Sequence, residues 1–144
     1  MSTTVNEDVV SITVDLLIDN WNSSNVARPG IISAIENYKR VELSNSDAIL
    51  VYDTGPALCE KGDIFYDTED YNSFVSIDIR TTVDKTRLEA LWTEVNRIRV
   101  LKRKSPHADW QTLYHISRIP RIDKSVGLWR YVVDWRYISR KVLL

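Results

Sequence analysis

The sequence predicts an α+β domain: a mostly antiparallel sheet of about five strands with two helices packed on one face, in the order α-β-β-β-α-β-β. Three observations lead there. Two stretches carry apolar residues at helical spacing, and several shorter ones alternate apolar and polar residues with period two. The third is size: 144 residues, 44% hydrophobic and 27% charged, suit one core, so residues 1–144 read as a single domain. The lone Cys59 cannot form an internal disulfide and two histidines with it make no structural zinc set, so packing must hold the fold. No apolar run reaches the roughly 18 residues of a membrane helix. Met1–Asp8 lacks the basic-then-apolar order of a signal peptide, and the expectation is a soluble protein made in a reducing cytosol.

The first helix is expected from about Glu7 to about Trp21. Asn6 is placed to cap it, Glu7 and Asp8 suit the positive end of its dipole, and Val9, Ile12, Thr13, Leu16 and Leu17 share one stripe. Asn20–Asn25 and Arg28-Pro29-Gly30 are turn chemistry. Ile31–Lys39 and Ala48–Asp53 then read as strands joined by the polar connection Leu43–Asp47, of hairpin type. About 18 residues follow, 54–71, with two glycines, a proline and five acids; this is the longest expected loop, and loops of that length are commonly functional.

Phe74–Thr81 alternates cleanly, Val75, Ile77 and Ile79 against Ser76, Asp78 and Arg80, which predicts a strand with one wet face. Asp84 caps the second helix, whose stripe is Leu88, Leu91, Trp92, Val95 and Ile98, with Glu89, Thr93, Glu94 and Arg97 turned to water. That helix runs through a basic end and stops before Ser105-Pro106, because proline disfavours helical geometry in the residue before it. Two strands close the chain, Trp110–Ile119 and Gly127–Arg140. The second sets Trp129, Tyr131, Val133, Trp135 and Tyr137 on one face and Leu128, Arg130, Val132, Asp134, Arg136 and Ile138 on the other.

The formal net charge of −1 conceals a polarised chain. Residues 1–79 hold 4 Lys/Arg against 14 Asp/Glu, and residues 80–144 hold 15 against 6, so the halves carry −10 and +9. Segregated halves would form opposite patches that join copies of the chain; halves interleaved by folding would cancel.

Signals for chemistry are poor. His107 and His115 have no nearby serine or cysteine in a nucleophile context, Cys59 lies in no cysteine-enzyme signature, and the four glycines form no phosphate loop. The acids Asp63, Asp67, Glu69 and Asp70 miss the spacing of a helix-loop-helix calcium site. No catalytic residue, cofactor or metal is therefore expected. Two features remain. Asp63, Ile64, Phe65 and Tyr66 put three large apolar side chains inside an acidic loop, where they either fold back or dock on a partner. Arg97, Lys102, Arg103 and Lys104 complement the helix dipole, or contact an anionic neighbour. With Arg118, Arg121 and Lys124 they could instead serve nucleic acid, although a pI near 6.1 is low for that role.

Phe74–Thr82, the charged helix Lys85–Arg97 and the closing strand Gly127–Asp134 together resemble the strand-helix-strand core of tail terminator (tail completion) proteins of tailed viruses. Asn37–Arg40 and Ala48–Tyr52 fit the same layout, so the resemblance spans about residues 6–138. It implies a virion protein of the tail or neck, assembled in the host cytoplasm. Such a protein usually forms a hexameric ring that caps the tail tube and joins it to the head–tail connector, without catalysis or cofactor. Its partners would be further copies of itself, a tail tube protein and a neck protein. Another neck or connector ring protein is the nearest alternative, and a small nucleic-acid-binding module using the basic half is a third. Asp63–Tyr66 would be the partner-docking loop, and Arg97, Lys102, Arg103 and Lys104 the electrostatic subunit interface.

Overall fold

The computed structural model describes residues 8–33, 47–53, 58–121 and 127–143. Helix α1 (Val9–Asn20) is capped by Asp8, whose Oδ1 accepts the Ser11 N–H at 3.2 Å, so the cap falls two residues after the expected Asn6, which lies outside the described residues. Its buried stripe is Val9, Val10, Ile12, Thr13, Leu16 and Leu17. Helix α2 (Lys85–Leu101) starts at the expected cap, the Arg87 N–H donating to Asp84 Oδ1 at 2.7 Å.

Among the described residues, seven strands form one sheet: β1 (Gly30–Ser33), β2 (Ala48–Asp53), β3 (Leu58–Lys61), β4 (Thr68–Thr81), β5 (Lys104–His107), β6 (Trp110–Pro120) and β7 (Trp129–Val142). The order is β1-β2-β4-β7-β6-β5, with β3 beside β4. The α+β class holds, but the sheet is larger than five strands and mixed, and the elements of the described residues run α-β-β-β-β-α-β-β-β.

Three expectations are corrected. First, β1 and β2 are parallel, Gly30 opposite Ala48 through Ser33 opposite Val51, and form no hairpin. Residues 34–46 separate them, about the dozen residues a parallel crossover needs; the rest of the expected first strand falls there, outside the described residues. Second, much of the expected loop 54–71 is sheet, since β3 pairs with β4 from Leu58 opposite Asn72 to Lys61 opposite Glu69. Residues 54–57 are outside the described residues. Third, the basic end of α2 is shorter than expected, because Lys104 already belongs to β5.

The spine is the β4–β7 ladder, continuous from Thr68 opposite Val142 to Thr81 opposite Trp129. One face of its inner half carries Val75, Ile77, Ile79, Tyr131, Val133, Trp135 and Tyr137, all buried under the two helices with Leu88, Leu91, Val95 and Ile98 of α2. Trp110 packs edge-on against Tyr137 with centroids 5.8 Å apart. The Tyr137 hydroxyl lies 2.7 Å from Thr13 Oγ1, which also donates to the Val9 carbonyl at 2.6 Å, so this buried hydroxyl is satisfied on α1.

Glu94 was expected in water and is 2% exposed. Its carboxylate accepts from the Asn22 N–H (2.9 Å), Asn25 Nδ2 (3.0 Å) and Arg97 Nε (2.8 Å), while Arg97 Nη2 also donates to the Asn20 carbonyl at 2.7 Å. The pair ties the end of α1 to the middle of α2. Burial alone would raise the Glu94 carboxyl, but the donors outweigh it and hold it at about 2.

The expected wet face of β4 is not wet at its centre. Asp78 is 1% exposed and bound at 2.8 Å by both Arg80 and Arg130. Asp134 accepts from Ser76 and, at 3.2 Å, from Ser117, and the Arg136 guanidinium lies over the Tyr114 ring at 5.3 Å. With Asp47–Arg87 and Asp70–Arg140, these pairs join acids of the first half to bases of the second. Folding thus pairs part of the charge that the sequence separates.

Two outcomes test this packing. Glu94→Gln should cost roughly 3 kcal/mol at pH 7 in urea unfolding, since it removes the buried charge that Arg97 and the Asn22 and Asn25 donors are arranged around. The native carboxyl is depressed, so its contribution is full above about pH 4.5 and is lost as pH falls to about 2; wild type and variant should converge across that window. Tyr137→Phe should cost about 1 kcal/mol by the same measurement, the worth of one buried hydrogen bond.

Candidate functional site

Beyond the helix-covered sheet, β3, the first residues of β4 and the last of β7 continue as a three-stranded arm. β2 pairs with β4 only as far as Asp53 opposite Val75, and β6 with β7 only as far as Thr112 opposite Ile138. Every residue of β3 is exposed and none of residues 68–72 is fully buried. Arg140 grips Asp70 with two hydrogen bonds of 2.7 and 2.9 Å, which holds that carboxyl below its usual range and crosslinks β4 to β7. Cys59 Sγ donates to Glu69 Oε2 at 2.7 Å, and the Tyr71 hydroxyl donates to the same oxygen at 3.3 Å. The Glu69 carboxylate raises the Cys59 thiol, and desolvation followed by the Cys59 contact pushes Tyr71 up to about 12.

The arm ends in a tight turn organised by Asp63. Its Oδ1 accepts the Phe65 and Asp67 N–H groups at 3.1 and 3.0 Å, and its Oδ2 the Thr68 hydroxyl at 3.4 Å. The Gly62 N–H closes the base on the Thr68 carbonyl at 2.7 Å, and the Leu143 N–H joins β7 to the turn through the Asp67 carbonyl at 2.7 Å. A Cβ on Gly62 would sit 2.3 Å from Thr68 Oγ1, so the close approach of the two strands needs glycine. Tyr66 takes φ of 60°, a left-handed conformation that the surrounding bonds impose. The result is an ordered tip with Ile64, Phe65 and Tyr66 exposed by 82%, 81% and 54%. The four residues singled out from sequence therefore lie together, with Asp63 building the turn and the other three facing out.

At the other candidate, α2 ends at Leu101 and the Lys102 N–H closes on the Ile98 and Val100 carbonyls. Arg103 Nη1 donates to the Val100 carbonyl at 2.7 Å. Among the described residues Lys102, Arg103 and Lys104 have no carboxylate partner within ion-pair distance. Arg99 is pushed below its ordinary value by burial and then by the Arg103 charge. Arg97 does not belong to this patch, because its guanidinium is turned inward onto Glu94. Sequence reasoning passed over Val100 and Leu101, exposed by 39% and 56% among these cations; the visible signal was their position off the Leu88-Leu91-Val95-Ile98 stripe.

The remaining candidates have structural partners. His107 Nδ1 accepts the Asp109 N–H at 3.1 Å in the turn between β5 and β6, beside an open groove against Asp15 and Asp19 of α1. His115 packs on Trp92 with centroids 5.4 Å apart, and burial followed by Arg99 and Arg118 lowers its pKa. Arg118 stacks over Trp92 and Tyr131 at 5.1 and 4.6 Å. Among the described residues no group of three or more His, Cys, Asp or Glu is placed to hold a metal ion, and no helix is long and apolar enough to cross a membrane.

No family model matches this chain, and no characterised protein matches it by sequence. A solved structure does match in three dimensions: a chain of the virion of a native gene transfer agent particle, with TM-score 0.63 and 12% identity, over 97% of this chain and 100% of that one. The two chains share a fold from end to end, the fold of a component of a virus-like particle.

Asp63→Ala should leave global unfolding within about 0.5 kcal/mol of wild type, because the turn lies outside the core, yet speed hydrogen exchange of the Phe65 and Asp67 amides at least tenfold.

Proposed function

We propose that this chain is a structural protein of a tailed virion or virus-like particle, a tail terminator whose ring caps the tail tube and joins it to the head–tail connector. The observation that carries the reading is the end-to-end fold match to a gene transfer agent virion component; the terminator role is taken from the sequence resemblance of Phe74–Thr82, Lys85–Arg97 and Gly127–Asp134. In this reading the protein works by shape and charge, without catalysis or cofactor, and resides in the tail or neck of the particle.

A neck or connector ring protein of another level is the second reading, since such proteins share the size and the ring architecture. The nucleic-acid reading loses ground on one observation. Arg80, Arg87, Arg97, Arg130 and Arg140 are held in intramolecular ion pairs and Arg118 is stacked on aromatic rings, so six of the fifteen cations of the basic half already have partners within the chain.

Polymerising a tail tube protein from the same virion, with and without this chain present, tests the terminator role. Electron microscopy should show a ring at one end of each tube and tubes that stop growing. Unaltered lengths and bare ends would refute that role, and rings that bind only the portal-side connector would favour the second reading.

A further inference from the structure

The arm and the basic end of α2 carry an inference about how copies join, and it rests on the ring reading above. We propose that the arm tip of one copy docks on the exposed C-terminal end of α2 and the adjoining start of β5 in the next copy.

Both surfaces are incomplete in the same way. The tip offers Ile64, Phe65 and Tyr66, and Val142 nearby is 50% exposed; the receiving surface offers Val100 and Leu101. Apolar groups that stand in water on a turn held by six hydrogen bonds lose little freedom on docking, which favours association. Charge then selects the match. Residues 58–72 hold five carboxylates, Glu60, Asp63, Asp67, Glu69 and Asp70, against one cation, Lys61. Residues 99–104 hold Arg99, Lys102, Arg103 and Lys104 with no carboxylate. Glu60 and Asp67 are exposed and without an ion pair among the described residues, as are Arg103 and Lys104, and the half-buried Lys102 has none either. Each patch therefore finds its counter-charge in this same chain, which a net charge of −1 also fits.

The topology makes the contact intermolecular. β3 lies on the β2 side of β4, whereas β5 is the opposite edge of the sheet, four strand spacings or about 19 Å away. Both lie toward the same end, since Thr112 opposite Lys104 also faces Ile138, which faces Asn72. An arm that continues the central strands β4 and β7 can meet the β5 edge of a neighbour, while that neighbour's arm stays free to continue. Such unlike-to-unlike contacts close into a ring when the rotation allows.

Crosslinking of the full chain tests the contact. In a Cys59→Ser background, Phe65→Cys and Leu101→Cys copies are co-expressed, and a short bis-maleimide is added to the purified assembly. Both positions are exposed, so neither change disturbs the core. The expected product is a crosslinked pair containing one copy of each. Lys102→Glu with Arg103→Glu should weaken assembly at least tenfold, and Glu60→Lys with Asp67→Lys in the same chain should restore it. An assembly that gives no mixed crosslink, or that crosslinks Phe65→Cys copies only to each other or to a tube protein, overturns the docking while leaving the ring reading intact. A monomer at micromolar concentration overturns both.

Discussion

The long β4–β7 ladder is the constraint on which the rest of the molecule depends. It sets Val75, Ile77 and Ile79 beside Tyr131, Val133 and Trp135, making the apolar floor on which both helices lie. The same ladder runs past the helices to Thr68 opposite Val142, so the arm is an extension of the core strands. An arm with that ancestry is stiff because its backbone bonds are continuous with the sheet. Its tip is positioned by Asp63 and by the close passage of Gly62 against Thr68. Packing and presentation are thus two ends of one pair of strands.

Electrostatics divide along the same line. Within the folded body, acids of the first half meet bases of the second: Asp78 between Arg80 and Arg130, and Asp47 with Arg87. These pairs neutralise part of the contrast between the two halves. What survives is local, an acidic arm and a cationic helix end, each bordered by exposed apolar side chains. The charge argument for self-association therefore contracts from two halves of a sequence to two small surfaces.

Much of the body was legible in the sequence because periodicity and burial agree there. The alternation from Trp129 to Tyr137 and the stripe from Leu88 to Ile98 give the buried faces correctly. Glu94 was not legible: it occupies an ordinary polar helix position, and its partners Asn22 and Asn25 lie some 70 residues earlier. Nor were β3 and the start of β4, whose acids read as a loop although Arg140 from the far end of the chain engages Asp70. The parallel β1–β2 pair depends on the path taken between them, which local composition does not encode. At the candidate site the apolar tip was visible in Ile64-Phe65-Tyr66. The inward turn of Arg97 and the exposure of Leu101 were not, since both depend on which way α2 rolls against the sheet.

The central claim is that this fold, shared with a virion component, builds a closed ring from one kind of subunit. Native mass spectrometry of the purified full chain at micromolar concentration tests it most directly. The account predicts one dominant species at a fixed multiple of the subunit mass, six by resemblance, that dissociates as salt is raised. A monomer, or an open ladder of sizes without a preferred multiple, would contradict it.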